Sequence, residues 1–86
     1  DYDLMDDVYF YMMNDDDFYR KNYYPTMNKC KQTGDNESVM PLIDSCIKEY
    51  CMKYKIPKQI ADQITPEDKN LLMQRMMDAE KENEEQ

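Results

Sequence analysis

The chain has 86 residues and a mass of 10.5 kDa. Folded chains of that size expose roughly 5,400 Å² against about 15,000 Å² when extended, so one modest core is possible and a second domain is not. Nineteen Asp and Glu against eleven Lys and Arg leave a net charge of −8, which argues against a nucleic-acid-binding surface covering the whole molecule. No apolar stretch approaches the length of a membrane span, and the acidic start lacks the basic flank of a signal peptide.

The elements read as helices punctuated by prolines, with no convincing strand pair. From Asp1 to Asn14, Leu4, Val8, Tyr11 and Met12 share one helical face, and Asp3, Asp6 and Asp7 sit in the first turns, where the helix dipole favours negative charge. Asn14 or Asp15 can cap a second short helix through Phe18, Tyr19 and Tyr23. Tyr24-Pro25 is expected to interrupt it, because the residue before proline is pushed out of the α region. Pro25 can then open a further turn that carries Met27 and Cys30 inward until Gly34, a C-cap residue.

After a loop from Gly34 to Ser38, the strongest amphipathic pattern begins. Val39, Cys46, Ile47, Tyr50 and Tyr54 fall within about 60° of Ile43 at 100° per residue, whereas Met52 points to the opposite side. This helix should stop near Tyr54 or Lys55, since Ile56 precedes Pro57. A short turn carries Ile60, Ala61 and Ile64. Thr65-Pro66-Glu67-Asp68 then signals a last helix, with Leu71, Leu72, Met73, Met76, Met77 and Ala79 at helical spacing. Residues 80–86 contain no apolar side chain and are expected to fray as an acidic tail. The predicted fold is all-α: one helical domain over residues 1–79, a compact orthogonal bundle of four or five short helices.

The chemistry that this composition supports is narrow. Without histidine, Ser–His and Cys–His nucleophilic pairs cannot be assembled. Cys30, Cys46 and Cys51 contain no CxxC pair, and on one helix Cys46 and Cys51 would point about 140° apart, which disfavours a shared metal or a disulfide. An odd number of cysteines fits a reducing, cytoplasmic compartment, each thiol serving as a small apolar side chain. The single glycine, Gly34, leaves no phosphate-cradling loop, and neither Asn14–Asp17 nor Asp35–Glu37 has the ligand spacing of a calcium loop. The chain is therefore expected to be non-catalytic, with no cofactor and no metal.

What remains is a surface for another molecule. Charge is blocked along the chain: −7 over residues 1–17, +4 over 18–58 and −5 over 59–86. The acidic ends can lie against the basic middle, or greet a partner with a basic surface. The first helix also carries more apolar material than one buried face needs, since Tyr9, Phe10 and Met13 lie about 100–200° round from Val8. Either this helix runs through the middle of the bundle, or those residues form an external contact. The candidate partner-binding residues are Tyr9, Phe10 and Met13, with Tyr19 and Met52 as secondary candidates. Two alternatives stand beside protein docking. One is a nucleic-acid role, as a DNA mimic or as a single-strand binder using Arg20, Lys21, Lys29 and Lys31 with Tyr19, Tyr23 and Tyr24. The other is a structural subunit that associates with copies of itself.

The block Tyr11-Met12-Met13-Asn14-Asp15-Asp16-Asp17-Phe18-Tyr19-Arg20, followed by Tyr23-Tyr24-Pro25, resembles small uncharacterised acidic proteins encoded by tailed phages. That resemblance covers about a quarter of the chain and implies a phage origin and action on a host or viral protein inside an infected bacterium. It carries no site residues.

Overall fold

Asp3 starts the first helix by accepting, on its side chain, the backbone N–H groups of Met5 and Asp6. A computed structural model describes residues 3–85, with side chains as far as Glu82; Asp1, Tyr2 and Gln86, which the sequence reading placed in the first helix and the tail, lie outside the described residues. The helices are α1 (Leu4–Asn14), α2 (Asp16–Phe18), α3 (Tyr24–Thr33), α4 (Val39–Lys53), α5 (Lys58–Ala61) and α6 (Pro66–Glu85), with a π-helical turn at Tyr19–Tyr23 between α2 and α3. Among the described residues there is no strand, as the all-α reading expects. The radius of gyration, 12.9 Å, is close to the ~12 Å of a compact chain of this length.

Most boundaries follow the local chemistry read from the sequence. Asp15 is extended and serves twice, ending α1 with its N–H on the Tyr11 carbonyl and capping α2 by accepting from the Phe18 N–H. Gly34 closes α3 in the left-handed region, at φ 72°, with its N–H on the Cys30 carbonyl. Thr65 and Asp68 bond reciprocally, Oγ1 accepting from one N–H and Oδ2 from the other, which starts α6 directly before its proline.

At two points the structure departs from the expectation. The chain does not break at Tyr24-Pro25: Tyr24 stays helical, at φ −59° and ψ −50°, and Asp16 to Thr33 forms one continuous helix. In a straight α-helix Pro25 could not donate to the Lys21 carbonyl, and its ring would crowd it. The preceding wide turn, closed by the Tyr24 N–H on the Tyr19 carbonyl five residues back, absorbs that mismatch. It also resets the helical phase, so that Phe18, Tyr23 and Met27 are all buried.

The second departure is the tail. α6 continues through Glu85 instead of fraying from Glu80. Glu80 accepts the Tyr23 hydroxyl at 2.7 Å and lies 2.7 Å from Lys31 Nζ, and this pair of contacts docks the last turns of α6 against α3.

The core gathers Leu4, Val8, Tyr11 and Met12 of α1, Phe18, Tyr23, Met27 and Cys30 of the continuous helix, Val39, Leu42, Ile43 and Cys46 of α4, and Leu72 and Met76 of α6. Two helices set its geometry. Cys46 Sγ donates to the Val8 carbonyl at 3.6 Å, Tyr11 Oη donates to Glu49 at 2.9 Å, and Lys53 Nζ donates to Asp15 at 3.3 Å. All three contacts join residues 38 apart in sequence, so α1 and α4 run side by side in the same direction for two turns. α6 packs on both, with Arg75 reaching Asp6 of α1 and Lys69 reaching Asp44 of α4.

Two stability outcomes follow from these contacts. α4 ends with Lys55 at φ 54° and the Ile56 N–H on the Cys51 carbonyl, a left-handed cap occupied by a residue with a Cβ. Lys55→Gly should raise stability by about 0.5–1 kcal/mol in urea unfolding, because glycine takes that conformation without the steric cost. Tyr23→Phe removes a hydrogen bond to a carboxylate and should lower stability by about 1.5–3 kcal/mol in the same assay.

Candidate functional site

The helical phase of α1 distributes its extra apolar residues among different neighbours. Val8 and Met12 are wholly buried, the Val8 carbonyl meeting Cys46 of α4. Tyr9 and Met13 are half-buried and pack against the core. The Tyr9 ring lies under the Arg75 guanidinium, 4.1 Å from the ring centre, while Arg75 Nη1 donates to Asp6 at 2.7 Å. Phe10 points away from all of this and is 67% exposed, with its carbonyl accepting the Asn14 side-chain amide.

Beside Phe10 an open groove of 390 Å³ separates α1 from the end of α4, lined by Asp7, Phe10, Tyr11, Asn14, Asp15, Tyr50 and Tyr54. The rings form a connected array. Tyr11 meets Tyr50 edge-on at 5.7 Å and Tyr54 at 6.2 Å, and Tyr50 and Tyr54 are 4.8 Å apart. Tyr54 is 53% exposed although its wheel position lies on the buried side of α4, because the helix ends there and its last turn overhangs the core.

Two charged groups fix the edge of the groove. Lys53 Nζ stands 5.3 Å above the Tyr11 ring and 5.8 Å from that of Tyr54, while pairing with Asp15. The hydrogen bond from the Phe18 N–H, together with Lys53, holds the Asp15 carboxyl below the usual carboxylate range. Burial, then the hydrogen bond to Glu49, pushes the Tyr11 phenol upward.

The remaining sequence candidates lie elsewhere. Tyr19 is half-buried and stacks on Tyr23 at 5.0 Å, beside Glu80 and Lys31. Met52 is 71% exposed, on a shallow surface with Ser45, Lys48, Glu49 and Lys53 that adjoins the Phe10 groove at Lys53. Of the five candidates the structure leaves Phe10 and Met52 in solvent, on separate surfaces, and turns Tyr9, Met13 and Tyr19 partly inward.

Sequence reasoning missed the contribution of Tyr50 and Tyr54 to a surface. The available signal was their position in the final turn before Ile56-Pro57. The thiols are shielded: burial pushes Cys46 up to about 12, and Cys30 and Cys51 are raised for the same reason. Among the described residues no group of three or more Cys, Asp or Glu is placed to hold a metal ion, and no helix is long and apolar enough to cross a membrane. No family model, curated protein or solved structure matches the chain.

Asp15 gives a pH-dependent test of this edge. Its folded-state pKa is lowered, so its contribution to stability is present above the unfolded value of about 3.9 and disappears as pH falls through the folded value. Asp15→Asn retains a capping side chain but loses the charge. Its urea midpoint should fall below that of the wild type at pH 6, and the difference should close as the pH drops below 4.

Proposed function

We propose that the chain is a small, acidic, non-catalytic docking module that binds another protein through the α1–α4 groove around Phe10. The observation that carries this reading is a large aromatic side chain held mostly in solvent on a helix whose opposite face is wholly packed. A phenylalanine in that setting gains its burial only from a second molecule. Tyr50 and Tyr54 extend the same surface and offer apolar area with polar tips, the mixture enriched at contact surfaces.

The nucleic-acid reading has less support. Of the three tyrosines that could stack on bases, Tyr23 is buried and Tyr19 lies against it, while Arg20 and Lys31 are engaged with Asp17 and Glu80. Three unpaired thiols suit a reducing compartment, which makes the cytoplasm part of the proposal. The tailed-phage resemblance of the segment from Tyr11 to Pro25 extends it to a host or viral protein as the partner.

Affinity purification from the native cell, followed by mass spectrometry, tests the reading. The wild type should retain a specific protein. Phe10→Asp should lose it while keeping its helical circular dichroism and melting within a few degrees of the wild type. Equal retention by Phe10→Asp would overturn the proposal.

A further inference from the structure

α1 repeats one arrangement three times: an aspartate and an aromatic ring three or four residues apart. Asp6 and Tyr9 hold Arg75, with the guanidinium between the carboxylate at 2.7 Å and the ring at 4.1 Å. Tyr11 and Asp15 hold Lys53 in the same fashion, at 5.3 Å from the ring and 3.3 Å from the carboxylate. Asp7 and Phe10 form the third pair. They have the spacing of Asp6 and Tyr9, advanced by one residue and so turned about 100° round the helix. That turn points them into the open groove. Asp7 is half-buried, and no ion pair among the described residues reaches it.

We propose that this third pair receives an arginine side chain from a basic segment of a partner protein, with its guanidinium stacked on Phe10 and Tyr54 and paired with Asp7. The inference rests on the docking reading and adds the chemistry of the partner. Charge complementarity selects this occupant. A purely apolar segment would cover the half-buried Asp7 carboxylate without a partner, which is costly. Phosphates would meet Asp7 and Asp15 at close range. A guanidinium satisfies the carboxylate and the rings together, because it is planar, weakly hydrated and always charged. The seven acids of residues 1–17 add a field that draws a basic segment towards α1.

The probe is an acetylated, amidated hexa-arginine peptide titrated into the 86-residue chain at low ionic strength, read by amide shifts and calorimetry. The expected result is saturable binding, with shifts centred on Asp7, Phe10, Asn14, Tyr50 and Tyr54. Asp7→Asn and Phe10→Ala should each weaken it at least fivefold while melting within a few degrees of the wild type, the small loss at Asp7 reflecting its place in the first turn of α1. Asp62→Asn, the same charge change at an exposed site outside the groove, should alter it less than twofold. Absence of saturable binding overturns the proposal, as does an equal loss in Asp62→Asn, which would mean diffuse attraction. So does a concentration-dependent dimer that dissociates on Phe10→Ala but ignores the peptide, since the occupant would then be a second copy. If Phe10→Asp abolishes the native complex while hexa-arginine neither binds nor competes, docking stands and the arginine assignment falls. A native complex indifferent to Phe10→Asp removes the docking reading itself.

Discussion

The seam between α1 and α4 determines the rest of the molecule. Val8 and Cys46 meet there with no exposed surface, and Tyr11–Glu49 and Asp15–Lys53 continue the same register outward. Two neighbouring helices that run in the same direction cannot be joined by a short turn, because the chain must travel back along their length. The continuous helix from Asp16 to Thr33 makes that return, and the loop from Gly34 to Ser38 completes it. The π-helical turn belongs to the same requirement. It lets a helix containing Pro25 remain unbroken while Phe18, Tyr23 and Met27 are all buried.

Charge decorates this frame more than it supports it. The acidic first helix and the acidic end of α6 lie against basic side chains, through Asp6–Arg75, Asp15–Lys53 and Lys31–Glu80. Asp15–Lys53 and Lys31–Glu80 join the acidic ends to the basic middle, whereas Asp6–Arg75 ties the two ends to each other. Most of these pairs are substantially exposed, and each such pair contributes little stability. Their effect is positional: they fix where cations sit relative to the tyrosine rings, and none of them reaches Asp7, half-buried in the groove wall beside Phe10.

Much of the fold was legible because local chemistry and periodicity agree. The face of α1 comprising Leu4, Val8, Tyr11 and Met12 is the buried one, Gly34 ends α3, and Thr65-Pro66 opens α6. Tyr24-Pro25 misled because the rule for the residue before proline treats the preceding helix as regular, and a π turn changes the spacing on which that rule depends. Leu42 was missed because α4 is contacted from several sides, so its buried sector is wider than one face. Glu80 looks like solvated tail in the sequence because its anchors, Tyr23 and Lys31, are about fifty residues distant. The site was half legible. A wheel places Met52 outside and leaves Phe10 either central or external; it cannot show that Arg75 of α6 covers Tyr9, that Phe10 stays in solvent, or that Tyr54 lies beyond the edge of the core.

The interior is rich in sulfur. Met12, Met27, Cys30, Cys46 and Met76 make up five of the fourteen buried side chains among the described residues. Thioethers are flexible and polarisable, so they fill irregular gaps where branched residues would demand an exact shape, and the bundle can accommodate changes of side-chain volume. The same atoms expose it to peroxide. A sulfoxide at Met12 or Met76 would place a strong dipole inside the hydrophobic cluster. Tight helix packing thus doubles as antioxidant shielding, and oxidants should first reach the outward-facing thioether of Met52.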